Sequence, residues 1–167
     1  KARTGRSRPM NNKDSKQTRL KLKYLSAAIE QTADNVVITD KDGIIEYVNP
    51  AFEQTSGYAK EEVLGKTPRI LKSGHHKAHF YETLWDTILS GKPFKHVLTN
   101  KKKNGELFYA DQTITPVKDA AGEITHFVAV WKDITERMRY REELEAINKS
   151  LQFEKQKFEQ ILDLEER

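Results

Sequence analysis

Residues 35–66, NVVITDKDGIIEYVNPAFEQTSGYAKEEVLGK, limit the folds open to this chain more than any other stretch. Val36, Val37 and Ile38 form a β-branched run that fits a strand. Lys41-Asp42-Gly43 follows, and Asp-Gly is a two-residue hairpin signal because both positions tolerate positive φ. Ile44, Ile45, Tyr47 and Val48 make the return strand. Asn49-Pro50 reads as an N-cap followed by proline at the first helical position, where a missing N–H costs nothing. Gly57-Tyr58 breaks that short helix, and residues 59–64 make another, ended by Gly65. A lone two-stranded hairpin is marginal in water, so more sheet has to follow.

Three further strands are expected. Residues 94–100 and 107–117 flank a second hairpin turn at Lys103-Asn104-Gly105, and residues 124–133 follow a turn at 119–122. In the second of these strands Phe108, Ala110, Gln112 and Ile114 share one face, and Tyr109, Asp111, Thr113 and Thr115 share the other. Between the two halves of the sheet lie one turn at 68–71 and a firmer helix at 79–89. There Phe80, Leu84 and Ile88 recur at helical spacing with Trp85 and Leu89 on the flank, before Gly91 and Pro93. Leu20, Leu22, Leu25, Ala28 and Ile29 predict an amphipathic helix ahead of the first strand.

The chain closes on a long helix. Thr135 is expected to cap it, with Glu136 in the first turn. Tyr140, Leu144, Ile147, Leu151, Phe158 and Ile161 recur at intervals of four and three, with Glu154 where the next apolar residue is due. This is a heptad seam with one polar interruption, and it predicts a parallel homodimer through Leu144, Ile147, Leu151, Phe158 and Ile161. The alternative is that its first half packs on its own sheet.

Several separated motifs in fixed order carry a family resemblance. They are Asp40 and Gly43 at the first turn, Asn49 with Phe52, and Gly57-Tyr58 with Glu61 and Val63-Leu64-Gly65. At the far end stand Gly122-Glu123-Ile124 and Asp133-Ile134-Thr135-Glu136-Arg137. Together they resemble the PAS sensory domain. The resemblance implies an α+β fold: a five-stranded antiparallel sheet in the order 2-1-5-4-3, short helices over one face, and N-terminal and long C-terminal flanking helices. The expected organisation is a basic disordered arm at 1–15, a flanking helix at 16–32, the PAS domain at 33–134 and a signalling coiled coil at 135–167.

Charge and composition narrow the function classes. The net charge of +4 is misleading, because residues 1–23 hold nine of the 29 Lys/Arg and one of the 25 Asp/Glu, leaving the remainder net acidic. The arm is read as solvated, and neither a nucleic acid nor a membrane is an expected partner. With 37% hydrophobic and 32% charged residues, part of the chain has to be solvated helix or tail. No apolar run approaches the ~18 residues of a membrane span and no signal peptide is visible, so a cytoplasmic setting is expected, with an anchor possible elsewhere in a longer parent. The chain has no cysteine, which removes disulfides, thiolate metal sites and cysteine nucleophiles. No nucleophile–base motif, phosphate loop or metal-ligand motif is present, so an enzyme is not expected within this segment.

The resemblance also implies a cavity between sheet and helices. The flavin photoreceptor branch, the LOV domains, places its reactive cysteine within the stretch corresponding to residues 65–74. Pro68 stands at that position here, so a sulfur–carbon adduct is ruled out. Redox-sensing PAS domains that hold FAD non-covalently, as in nitrogen-fixation regulators, look more similar. The matches are Ile70-Leu71, Ser73-Gly74, Tyr81, Leu84-Trp85, Lys92-Pro93, Val97-Leu98 and Asn100-Lys101-Lys102-Lys103. That likeness places Trp85 and Asn100 near an isoalloxazine ring, with Gln112, Asn49, Ile70 and Val37 as further cofactor-binding candidates. An amide matches the ring's mixed edge because it donates and accepts at once; an indole supplies an apolar wall. The sequence departs from these branches at Pro68, where the FAD branch has glutamate, and at Ala110, where the photoreceptors have a second asparagine. The plainer readings are a core tryptophan for Trp85 and a strand-edge polar residue for Asn100. Haem is the rival cofactor, with His76 as its ligand. The expectation is a sensory module of a histidine kinase or diguanylate cyclase type of protein, with Asp133, Ile134 and Thr135 relaying a flavin's redox state to the coiled coil. A ligand-free dimerisation module and a haem-based gas sensor stand as alternatives.

Overall fold

The computed structural model of the chain describes residues 12–165. Helix α1 (Asn12–Gln31) leads into strands β1 (Asn35–Asp40) and β2 (Ile45–Val48). The short helices α2 (Pro50–Ser56) and α3 (Lys60–Val63), a 3-10 turn (Pro68–Leu71) and helix α4 (Ala78–Leu89) follow. Strands β3 (Phe94–Lys101), β4 (Leu107–Lys118) and β5 (Ile124–Asp133) complete the sheet, and α5 (Thr135–Glu165) leaves it. All pairings are antiparallel and the strand order is β2-β1-β5-β4-β3. The first and last segments in sequence therefore meet at the sheet centre, with Asn35 opposite Trp131. Helix α1 begins within the segment expected to be a disordered arm; residues 1–11 of that arm lie outside the described residues.

The hairpin turns form by a different construction from the expected two-residue type. Among the described residues no non-glycine has a positive φ, so Asp42 and Asn104 do not take the left-handed conformation that type requires. Each loop instead closes by an i to i+3 bond into its glycine: Gly43 N–H to Asp40 O, Gly105 to Lys102 and Gly122 to Asp119. Only the glycine turns left-handed, as in a type I turn followed by a bulge. The Asp40 carboxylate holds the first loop, accepting from Asp42 N and Ile44 N at 2.9 and 2.8 Å.

The helices lie over one face, and the core beneath them is divided. One cluster gathers Val37, Ile45, Val48, Phe52, Val63, Leu71, Phe108 and Trp131 under α2 and α3. The other gathers Leu84, Ile88, Phe94, Leu98 and Phe127 under α4. Trp131 is 2% exposed and meets Phe52 edge-on at 6.3 Å and Phe108 at 5.2 Å. Helices α1 and α5 add little to either cluster. Tyr140, Leu144, Ile147, Leu151, Phe158 and Ile161 are all more than half exposed. Beyond its first turn, α5 thus does not lie on its own sheet.

Candidate functional site

Between the two clusters is a cavity of about 940 Å³, within the range of small-molecule sites. Its floor is the inner face of the sheet: Val37, Thr39, Leu98, Asn100, Gln112 and Ala129. Its roof is the 3-10 turn on one side and α4 on the other, with Ile70 and Trp85 facing in. Alternation along the strands explains why these residues converge, and Ala129, between Phe127 and Trp131, leaves a low point in the floor. The sequence-predicted Trp85, Asn100, Gln112, Ile70 and Val37 are all brought to this one chamber.

Trp85 is held from two sides. Its ring meets Phe127 edge-on at 5.9 Å, and a Cβ added to Gly43 would lie 3.0 Å from its outer carbon. The β1–β2 turn therefore needs a glycine both for its φ of 81° and for room beside the indole. Asn100 is 6% exposed and projects from the row opposite Phe108. Among the described residues Asn35 Oδ1 is the sole buried side-chain polar atom left without a partner, so the Asn100 amide is not sealed in apolar packing. No hydrogen bond within the described residues engages the Asn100 or Gln112 amide. Both remain free to bond a guest. Arg69 and Lys72 stand at the mouth on one lip, and Asp42, Glu82 and Asp86 on the other.

Two expected cofactor contacts need correction. Asn49 does not line the chamber, because its amide is fully used in the framework. Oδ1 accepts from Val36 N at 2.9 Å and from Phe52 N at 3.2 Å, and Nδ2 donates to Asp34 O and Ile29 O. It caps α2 and ties the end of α1 to the sheet, leaving nothing for a ligand. His76 does not face the chamber either. Its Nε2 accepts the Thr99 backbone N–H at 2.9 Å and its ring stacks on Phe80 at 4.2 Å. The lone pair an iron would need is already committed. Among the described residues no group of three His, Asp or Glu could hold a metal.

Sequence reasoning missed Trp131, Phe127, Thr39 and Arg69 as chamber residues. The alternation of Phe127, Ala129 and Trp131 was the available signal, but which face looks inward follows from the packing.

Tyr109, opposite Thr99 on β3, ties the sheet to the head of α5. Tyr109 O accepts from Ile134 N at 2.8 Å and Tyr109 N donates to the Thr135 hydroxyl at 2.9 Å. That hydroxyl donates in turn to Asp133 Oδ1, which also accepts from Thr135 N at 2.9 Å. The expected cap at Thr135 is thus reassigned: Asp133 takes the N–H at the head of α5, while the threonine hydroxyl ties the helix to β4. Asp133, Ile134 and Thr135 form a hydrogen-bonded joint between sheet and helix.

Comparison with known proteins agrees with this architecture. The family described as PAS fold matches residues 23–134. A nitrogen fixation regulatory protein of Klebsiella oxytoca is 35% identical over 107 residues, covering 64% of this chain and 22% of its own length. A blue-light-activated histidine kinase of Brucella canis is 35% identical over 141 residues, covering 82% of this chain and 29% of its own. The chain thus spans between a fifth and a third of these relatives. Among solved structures, an RNA-binding light-oxygen-voltage receptor superposes with a TM-score of 0.71 at 29% identity, over 79% of this chain and 38% of that one. The Rhodobacter sphaeroides LOV protein, at 20% identity and a TM-score of 0.61 over 69% of this chain and 67% of that one, shares the fold.

Proposed function

The chain belongs to the PAS family, and we propose that it is a sensor module that holds a flavin non-covalently and reports the ring's redox state through α5. One observation carries this reading: two unengaged amides, Asn100 and Gln112, and an apolar indole wall converge on one chamber that splits the core. The chemistry of the donor set fits a flat heterocycle with a mixed hydrogen-bonding edge. A flavin bound there would supply electron-accepting chemistry, with donors and acceptors on its edge changing as it is reduced.

The chain's own residues do the rest. Asn100 and Gln112 orient the ring edge, and either amide reverses its donor and acceptor ends by a rotation about its terminal torsion. Trp85, Ile70 and Val37 exclude water from the ring faces. Arg69 and Lys72 sit where an anionic side arm would leave the mouth. A shift of Asn100 pulls on β3, on Tyr109 opposite Thr99, and so on the Asp133–Thr135 joint. Packed interfaces respond to such a shift by discrete rearrangement. A homodimer through the α5 seam would convert it into a change of helix register for an output domain in a longer parent protein, of histidine kinase or diguanylate cyclase type.

The test is the absorption spectrum of the protein after incubation with FAD or FMN and removal of free cofactor. Retained flavin bands, weakened at least about tenfold in affinity by Asn100→Ala, are the expected result, since a lost amide pair is worth about one such factor. A protein that retains no flavin overturns the proposal in favour of a ligand-free interaction module; a Soret band overturns it in favour of haem.

A further inference from the structure

The segment Lys72–His76 joins the two lips of the chamber's roof and is fastened to the outer edge of β3 by three contacts. Lys72 makes an antiparallel bridge with Asn100. The Ser73 hydroxyl donates to Thr99 O at 2.5 Å, and Thr99 N–H donates to His76 Nε2 at 2.9 Å. Thr99 and Tyr109 face each other with their own amide groups turned outward, Thr99's to this segment and Tyr109's to the head of α5. The fastening therefore bears on Asn100 within the chamber and lies one strand pair from the joint at Asp133–Thr135.

We propose that His76 is a proton-responsive positioning residue: neutral, it clasps the roof of the chamber to β3 beside Asn100, and protonated, it releases it. The geometry requires the neutral ring, because a nitrogen that accepts an amide N–H has to carry a lone pair, and an imidazolium has none. Protonation turns the contact into two donors facing each other. No other fastening of this segment to β3 contains a group that changes charge in that range.

The surroundings keep the ring neutral at ordinary pH. Burial, then the neighbouring imidazoles of His75 and His96, hold His76 below the usual histidine range. His75 lies edge-on at 5.6 Å within the segment itself. From α4, Phe80 stacks on the ring and Tyr81 stands edge-on at 6.3 Å, its phenol held neutral by burial. The Lys72 ammonium lies 4.6 Å from the Tyr81 ring centre, and the His79–Glu82 pair of α4 is exposed. From β3, His96 reaches the cluster through Phe80 at 5.1 Å. Among the described residues no carboxylate pairs with His76, so nothing offsets the cost of charging it. The unfolded chain gains its proton near pH 6.5 and the folded chain only below that. The clasp is thus complete above the unfolded value, and its stability is lost as pH falls from there through the lowered folded value.

The test is a pH titration of the full chain, labelled with nitrogen-15 and free of added cofactor, so that its outcome is separate from that of the flavin proposal. The Thr99 backbone amide and the Asn100 side-chain amide should shift with one midpoint, the same as that of the His76 ring and below 6.5. Hydrogen-exchange protection at Thr99, corrected for intrinsic rates, should fall about tenfold across it, the value of one lost hydrogen bond. In His76→Gln the side-chain oxygen still accepts and does not titrate, so the step should vanish and protection persist at both ends. A Thr99 amide that stays still while His76 titrates overturns the proposal. So does a step that survives His76→Gln, which would assign it to His75 or His96. Should that variant fail to fold, coincidence or divergence of the wild-type midpoints decides alone.

Discussion

Asn49 shows how much one buried side chain carries in this fold. Its four hydrogen bonds join α1, β1, β2 and α2, and it is completely buried. Alanine there orphans the Val36 N–H and two carbonyls and removes a helix cap. We expect Asn49→Ala to lose about 3 kcal/mol of unfolding free energy, from roughly 1 for the cap and 1–3 for each buried group left unpaired. Asn49→Asp should be at least as damaging, since it sets a carboxylate against Ile29 O and Asp34 O. Urea unfolding measures both, and a loss under about 0.5 kcal/mol for alanine would mean the amide is not the tie described. Gly43 is the second sensitive position. Gly43→Ala forces a left-handed alanine, about 1–2 kcal/mol, and presses the new carbon on the indole of Trp85. Tryptophan emission should shift in that variant; an unchanged spectrum would show that the turn does not hold the ring.

At the scale of elements, α5, like α1, carries apolar surface that its own chain leaves uncovered. Six apolar residues at heptad spacing are exposed along it, from Tyr140 to Ile161, and Glu154 interrupts them. Two such helices side by side would bury the seam, at about 25 cal/mol per Å² of apolar surface removed from water. We expect the full chain to sediment as a dimer and a chain ending at Arg137 as a monomer. Equal dimerisation of the two would place the interface elsewhere. Glu154→Leu should tighten the dimer, because a polar residue in a seam costs stability. A dimer weakened by that change would count against the register read from the sequence. The hairpin tip between β3 and β4 is fastened to α3 by Lys103 and Glu62 at 2.6 Å, and that ion pair, with the Ala59 N–H, holds the Glu62 carboxyl below its ordinary range. As an exposed pair it contributes little stability.

For the whole molecule, the divided core sets the central physical question, because a chamber of about 940 Å³ forfeits packing that a filled core would have. Ala129→Leu would place three more carbons over the low point in the floor. We expect it to stabilise the ligand-free chain by about 1–2 kcal/mol, at roughly 0.8 per buried methylene less the cost of fit, and to abolish flavin uptake. Denaturant unfolding beside the flavin spectrum measures both; a destabilised variant that still takes up flavin would show that the floor at Ala129 is not open. The sequence by itself determined the strands, their faces, the stops at Gly57, Gly65 and Gly91, and the heptad seam, because those depend on local conformational preference and on the period of apolar residues. Family resemblance, not local preference, brought Trp85, Asn100 and Gln112 forward as candidates. Tertiary structure decided what their neighbours leave them free to do. Asn49 reads in sequence as a helix cap, yet only the folded chain shows its amide saturated by four framework bonds while Asn100 opens on a cavity. His76 reads as a polar histidine near a helix start, and only the approach of the β3 edge, 23 residues away, makes it an acceptor. Hydrogen-bond capacity is a local property of a side chain, whereas its occupation depends on groups that only the folded chain brings within 3 Å or so.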